Sequence, residues 1–94
     1  MTWIFLEGAP AFAVEVRSKG DYGPTADREI AAKIADYFAA GTKVVWDVDL
    51  LGTDVVRKYT PDRPTVPVAF RRGETADAEP GVSGWRFFVD SLFR

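Results

Sequence analysis

Glu15 and Lys33 are the residues whose types and placement could do chemistry together. A glutamate can hold a hard, oxygen-bound cation, and a lysine can steady a phosphate or orient a water. Phosphodiester hydrolysis needs that combination, with oxygen ligands holding Mg²⁺ against the scissile phosphate and a cation directing the attacking water. The chain contains no cysteine and no histidine, which removes thiol nucleophiles, imidazole bases, disulfides and the usual zinc or iron ligand sets. What remains is carboxylates, lysines, arginines, hydroxyls and a cation such as Mg²⁺. On spacing alone the commoner occupants of such positions are a solvated strand glutamate and a surface lysine.

The elements that must position these two residues run from Ala9 to Asp49. Phe12 to Arg17 reads as a strand, with Phe12, Val14 and Val16 on one face and Ala11, Ala13, Glu15 and Arg17 on the other. Two glycines, Asp21 and Pro24 mark Ser18 to Pro24 as a loop, after which Thr25 is the expected N-cap. From Ala26 to Ala40, Ile30, Ile34, Tyr37 and Phe38 recur at helical spacing, Asp27 and Glu29 sit near the positive end of the dipole, and Gly41 closes the helix. At about 100° per residue Lys33 falls on the border of the apolar stripe, so its stem can pack while its ammonium reaches around the edge. Lys43 to Asp49 is a second strand, with Val44, Trp46 and Val48 on one face and Val45, Asp47 and Asp49 on the other. Helix and strand pack face to face in an α/β layer, which would bring Glu15 and Lys33 over one site.

The rest of the chain reads as support. Trp3 to Leu6 is a short apolar run, a strand end or covering segment. Gly52 and Thr53 make a turn into Asp54 to Tyr59, the returning arm of a hairpin ended by Pro61 and Pro64. Val66 to Arg71 is a further strand, at an edge because Pro67 cannot donate to a ladder. Gly73 to Gly84 reads as polar loop, Trp85 to Val89 as an aromatic run, and Asp90 as the cap of a last helical turn holding Leu92 and Phe93. Asp47 and Asp49 could serve as extra metal ligands, but alternating acids on a strand are usually a solvated face. The pairs Arg57–Lys58 and Arg71–Arg72 could contact phosphates, though paired basics on hairpins are more often solubilising edge residues. The three tryptophans belong in the core.

Composition bounds the class. With 47% apolar and 14% aromatic residues and a net charge of −2, the chain is that of a folded domain, though one this short buries only about 60–65% of its unfolded surface. Its near-neutral charge means that any contact with DNA comes from local clusters. No apolar run approaches a membrane span and no signal peptide is recognisable at Met1 to Leu6, so the expected address is cytoplasmic.

Three runs, GAPAFAVEVRSKGD, AAKIADYFAAG and VVWDVD, together resemble the Uma-type (Uma-two) family of restriction endonucleases, within the PD-(D/E)XK nuclease superfamily. The family pattern PDxxxEVxS falls on Pro10 to Ser18, K-x3-Y-x3-G on Lys33, Tyr37 and Gly41, and W-x-V-D on Trp46, Val48 and Asp49; the ending GWRFFVDSLF is similar too. The resemblance implies a restriction-endonuclease-like α/β core, a mixed sheet with a helix after the inner strand. It implies Mg²⁺-dependent hydrolysis of DNA by water, with Glu15 as metal ligand assisted by the Val16 carbonyl, and Lys33 as the superfamily lysine moved from strand to helix. The pattern has aspartate where this chain has Ala11, and family members are about twice this length, so residues 1–94 are expected to be a single partial domain with the N-terminal part of the fold missing. The alternative expectation is a non-catalytic module that self-associates through an exposed sheet edge, a homo-oligomer in either case.

Overall fold

The computed structural model describes the backbone of residues 2–4 and all of residues 10–93. Alternation of apolar side chains carries Phe12–Val16 (β2) into the sheet. Thr2–Ile4 (β1) lies antiparallel on one side of it, and Val44–Val48 (β3) lies parallel on the other. A parallel pair cannot be closed by a tight turn and needs a crossover; here the crossover is the helix Pro24–Ala39 (α1). Val56–Thr60 (β4) and Arg63–Phe70 (β5) follow antiparallel, giving the order β1-β2-β3-β4-β5. The sheet is therefore mixed, with a helix after an inner strand, as expected for a restriction-endonuclease-like core.

The helix starts one turn-setting pair earlier than the sequence suggested. Gly23 is the N-cap and Pro24 takes the first turn, where its missing N–H costs nothing. Thr25 is therefore not the cap; its hydroxyl accepts from Arg28 at 3.3 Å. At the other end Gly41 has φ of +104° and donates to the Phe38 carbonyl while Thr42 donates to Tyr37, each at 3.0 Å. That paired closure requires a left-handed residue, which glycine supplies without strain.

Both faces of the sheet are covered. On one, Ile30 and Ile34 of α1 pack on Ala13 and Val45, with Tyr37, Phe38 and Tyr59 around them. On the other lies an element that the sequence did not reveal: Gly73 to Gly84 is not a polar loop but holds the strand Thr75–Ala78 (β6) and the start of Val82–Phe88 (β7), an antiparallel pair. Ala76 and Ala78 are fully buried, so β6 can approach Trp46 closely enough for its indole N–H to donate to the Asp77 carbonyl at 3.0 Å. Phe12, Trp46, Trp85 and Phe87 stack into one aromatic cluster between the layers. The closing Val89–Phe93 is a 3₁₀ turn. Asp90 does not cap it but accepts from the Gly73 N–H and the Arg72 guanidinium.

Pro67 does lie on the outermost strand, whereas Pro64 falls inside β5 rather than ending the hairpin; the turn is made by Pro61 and Asp62. Phe5, Leu6 and Ala9 lie outside the described residues, as does the side chain of Trp3. Among the described residues no helix is long and apolar enough to cross a membrane.

Candidate active site

The register of the sheet sets the site. Glu15, Asp47 and Arg57 are paired across β2, β3 and β4 and share the helix-facing side. Arg17 and Asp49 lie one pleat further on, at the ends of the two parallel strands, where α1 begins. Asp47 of β3 and Asp49 just beyond it were expected in solvent. Instead Asp47 is 1% and Asp49 5% exposed, because the crossover that makes β2 and β3 parallel lays α1 over that face.

Burying carboxylates is costly unless they are paired and hydrogen-bonded, and here two arginines and a tyrosine do so. Arg17 forks onto Asp47, Nε to Oδ1 and Nη2 to Oδ2, both at 2.9 Å. Its Nη1 continues to Asp27 Oδ1 at 3.0 Å and the Asp21 carbonyl at 3.1 Å. The fork on Asp47 raises the Arg17 pKa further, against the effect of burial. Arg57 stands 3.6 Å from Asp47 and 3.8 Å from Asp49. Asp49 accepts the Tyr22 hydroxyl at 2.6 Å and the backbone N–H of Leu51 and Gly52 at 3.0 Å each. Burial pushes the Asp49 carboxyl up, but these hydrogen bonds and the Arg57 charge outweigh it and hold it below the usual range. Burial and the bond to Asp49 push the Tyr22 hydroxyl up to about 12. A side chain at Gly52 would meet the Asp49 carboxylate at 2.6 Å, so the turn admits only glycine there without rearrangement.

Glu15 is the exception. It is fully buried, and among the described residues neither carboxylate oxygen has a hydrogen-bond partner. Burial, then the charge of Asp47, push its pKa up to about 7, with Arg17 and, more weakly, Lys33 acting the other way. Lys33 is exposed on α1, and no ion pair or hydrogen bond joins it to Glu15 among the described residues; the link between them is charge alone. A cavity of about 460 Å³ opens beside the row, walled by Arg17, Tyr22, Asp27, Asp47, Arg57 and Tyr59 among others. Glu15 and Lys33 are not on its wall.

Sequence reasoning singled out Glu15 and Lys33 but did not foresee the charged and hydroxyl groups around Glu15: Arg17, Tyr22, Asp47, Asp49 and Arg57. The available signal was the strand, helix, strand order itself, which places Arg17 and Asp47 on adjacent parallel strands under a helix. Of the basic pairs read as edge residues, Lys58, Arg71 and Arg72 are each in an ion pair. Lys58 meets Asp77 at 2.7 Å, tying β4 to β6, while Arg71 meets Asp54 and Arg72 meets Asp90.

Whether these residues suit Mg²⁺ can be judged from the donors. Mg²⁺ keeps several waters and takes one or two carboxylates together with phosphate oxygens, so a single protein carboxylate can suffice to anchor it. A buried glutamate with two unpartnered oxygens fits that role. Asp47 and Asp49 are already engaged, and no group of three acids is assembled among the described residues.

No curated protein matches the chain. A family profile described as Uma2, putative restriction endonuclease, matches residues 2–90. That span takes in β1, the Glu15 strand, α1, the buried charge row and the β6–β7 pair, and the chain accordingly belongs to the Uma2 family of putative restriction endonucleases.

Proposed function

We propose that this protein hydrolyses DNA phosphodiester bonds in a Mg²⁺-dependent reaction of the PD-(D/E)XK type, with Glu15 as the central acid. The observation that carries this reading is that fully buried Glu15 has no hydrogen-bond partner for either carboxylate oxygen among the described residues. A carboxylate kept in that state lowers stability, and proteins tolerate such groups chiefly at functional sites. Glu15 and the Val16 carbonyl would hold the cation, and Lys33 would extend its ammonium from α1 to orient the attacking water. Bound there, Mg²⁺ supplies charge to the phosphate oxygens. The residues packed over Glu15 have to part for substrate to reach it, since the carboxylate has no exposed surface.

The test is conversion of supercoiled plasmid to nicked and linear forms in Mg²⁺ or Mn²⁺, with chelator as control. Wild type is expected to cut, and Glu15→Gln to lose activity by at least about 100-fold, the scale of an essential catalytic group; Lys33→Met should lower it as well. A folded wild-type protein inert with both metals overturns the assignment.

Self-association through β5 is a second reading, favoured by one observation. Val66 is 56% and Val68 37% exposed on this outermost strand. Pro67 withholds an N–H, so such a contact runs through side chains rather than a continued ladder. Light scattering of wild type against Val66→Glu checks it, a monomer at high concentration counting against it.

A further inference from the structure

Resting on the assignment of Glu15 to a cation site, the geometry points to Asp47 as the second carboxylate of that site, and to the Arg17 guanidinium as the resident charge that a divalent cation displaces. Glu15 and Asp47 are direct partners in the parallel β2–β3 register, with side chains on the same face. Adjacent strands lie about 4.8 Å apart, close enough for two carboxylates to share one ion. Glu15 is unpartnered and fully buried beside Asp47. Asp47 gives both its oxygens to Arg17.

Arg17 is held as a cation in a cage of oxygens. Besides Asp47 it reaches Asp27 and the Asp21 carbonyl, and its side chain is 8% exposed. Asp27 is 59% exposed, so the outer half of the cage is open to solvent and the guanidinium has a way out along the cavity. Glu15, Asp47, Asp49 and Asp27 outnumber Arg17 and Arg57 by two negative charges when Glu15 is ionised, and a divalent cation is the complement of that excess. Once Arg17 leaves Asp47, the cation gains a second anionic ligand, which Mg²⁺ sites commonly use. Arg17 retains Asp27 as a partner after it moves. On this assignment Asp47 is a ligand and Arg17 a positioning residue that sets how readily the site fills.

Titration of the full chain with Mn²⁺, followed by calorimetry and by melting temperature, tests the idea without reference to cleavage. Arg17→Met is expected to bind Mn²⁺ at least tenfold more tightly than wild type, and Asp47→Asn in the same background to abolish the gain. Unchanged affinity in Arg17→Met, or a gain that survives Asp47→Asn, overturns the inference. Should Arg17→Met fail to fold, the wild-type protein answers instead: Ca²⁺ titration should move the Arg17 Nε–H resonance away from its ion-paired position. A resonance that stays fixed at saturating Ca²⁺ overturns the proposal. The two assignments fail separately. If Glu15→Gln weakens Mn²⁺ binding while Asp47→Asn and Arg17→Met leave it unchanged, Glu15 keeps its role and Asp47 loses its own. If Asp47-dependent binding persists without any DNA cleavage, the nuclease assignment falls and the competition between Arg17 and a cation stands.

Discussion

The two faces of the central sheet are built from the same strands and solve burial in opposite ways. Toward β6 and β7, Phe12, Val14 and Val16 alternate into a layer of valines, alanines and stacked aromatic rings. There the two polar contacts across the layer, Trp46 to the Asp77 carbonyl and Lys58 to Asp77, are both satisfied. Toward α1 only part of the face is apolar, around Ile30, Ile34 and Val45. Beyond it, charge replaces hydrocarbon, and the row is balanced except at Glu15. Area and shape hold the first face together, whereas the second depends on each charge having its partner, and it is the second that holds the candidate site.

Removing the largest ring is the strongest way to break the apolar face. Trp46→Ala should destabilise the fold by about 5 kcal/mol, through the cavity and the lost bond to β6, as read from chemical denaturation; a loss near 1 kcal/mol would mean that the hairpin layer is not an integral part of the core. On the charged face, Arg17→Met strands Asp47 and is expected to cost about 3–5 kcal/mol. Pairing it with Asp47→Leu should recover most of that, and a double variant as unstable as the single one would show that the ion pair is not the reason for the loss.

The exception on that face gives a pH signature of opposite kind. Glu15 has its folded pKa at about 7 against an ordinary value of 4.5. The neutral form is favoured by folding, so its stabilisation is fully present below pH 4.5 and is lost as pH rises through about 7, a change of about 3 kcal/mol. Glu15→Gln should flatten stability across that window and be the more stable protein at pH 8. Parallel pH profiles for the two proteins would count against the buried, unpartnered state. The smallest effect is expected at Thr25→Ala, within about 0.5 kcal/mol, since Gly23 and not Thr25 caps the helix; a larger loss would restore Thr25 to that role.

Much of the scaffold was legible because its signals are local. The 3.6-residue stripe of α1, the glycine that ends it, the alternation in β2 and the proline on the edge strand each follow from a few neighbouring residues. β6 was not legible, since Thr75-Ala76-Asp77-Ala78 has one β-branched residue and no aromatic one, and is drawn into a strand by Trp46 and Lys58. In the site, Glu15 and Lys33 stood out by residue type and family pattern. The burial of Asp47 did not, because alternation along a strand says which residues share a face but not what covers it. Only the parallel pairing of β2 and β3, and the helix that follows from it, turn that face inward and bring Arg17 and Arg57 onto it.

Trp46 sits on β3 and Trp85 on β7, with ring centroids 5.5 Å apart and planes inclined by 34°. Two indoles held so close at a fixed tilt couple their electronic transitions, so this protein should carry an exciton couplet in its circular dichroism spectrum. The couplet belongs to neither layer alone and disappears when they separate, which gives the docking of the β6–β7 pair on the sheet an optical gauge that can be followed while the secondary structure is still intact.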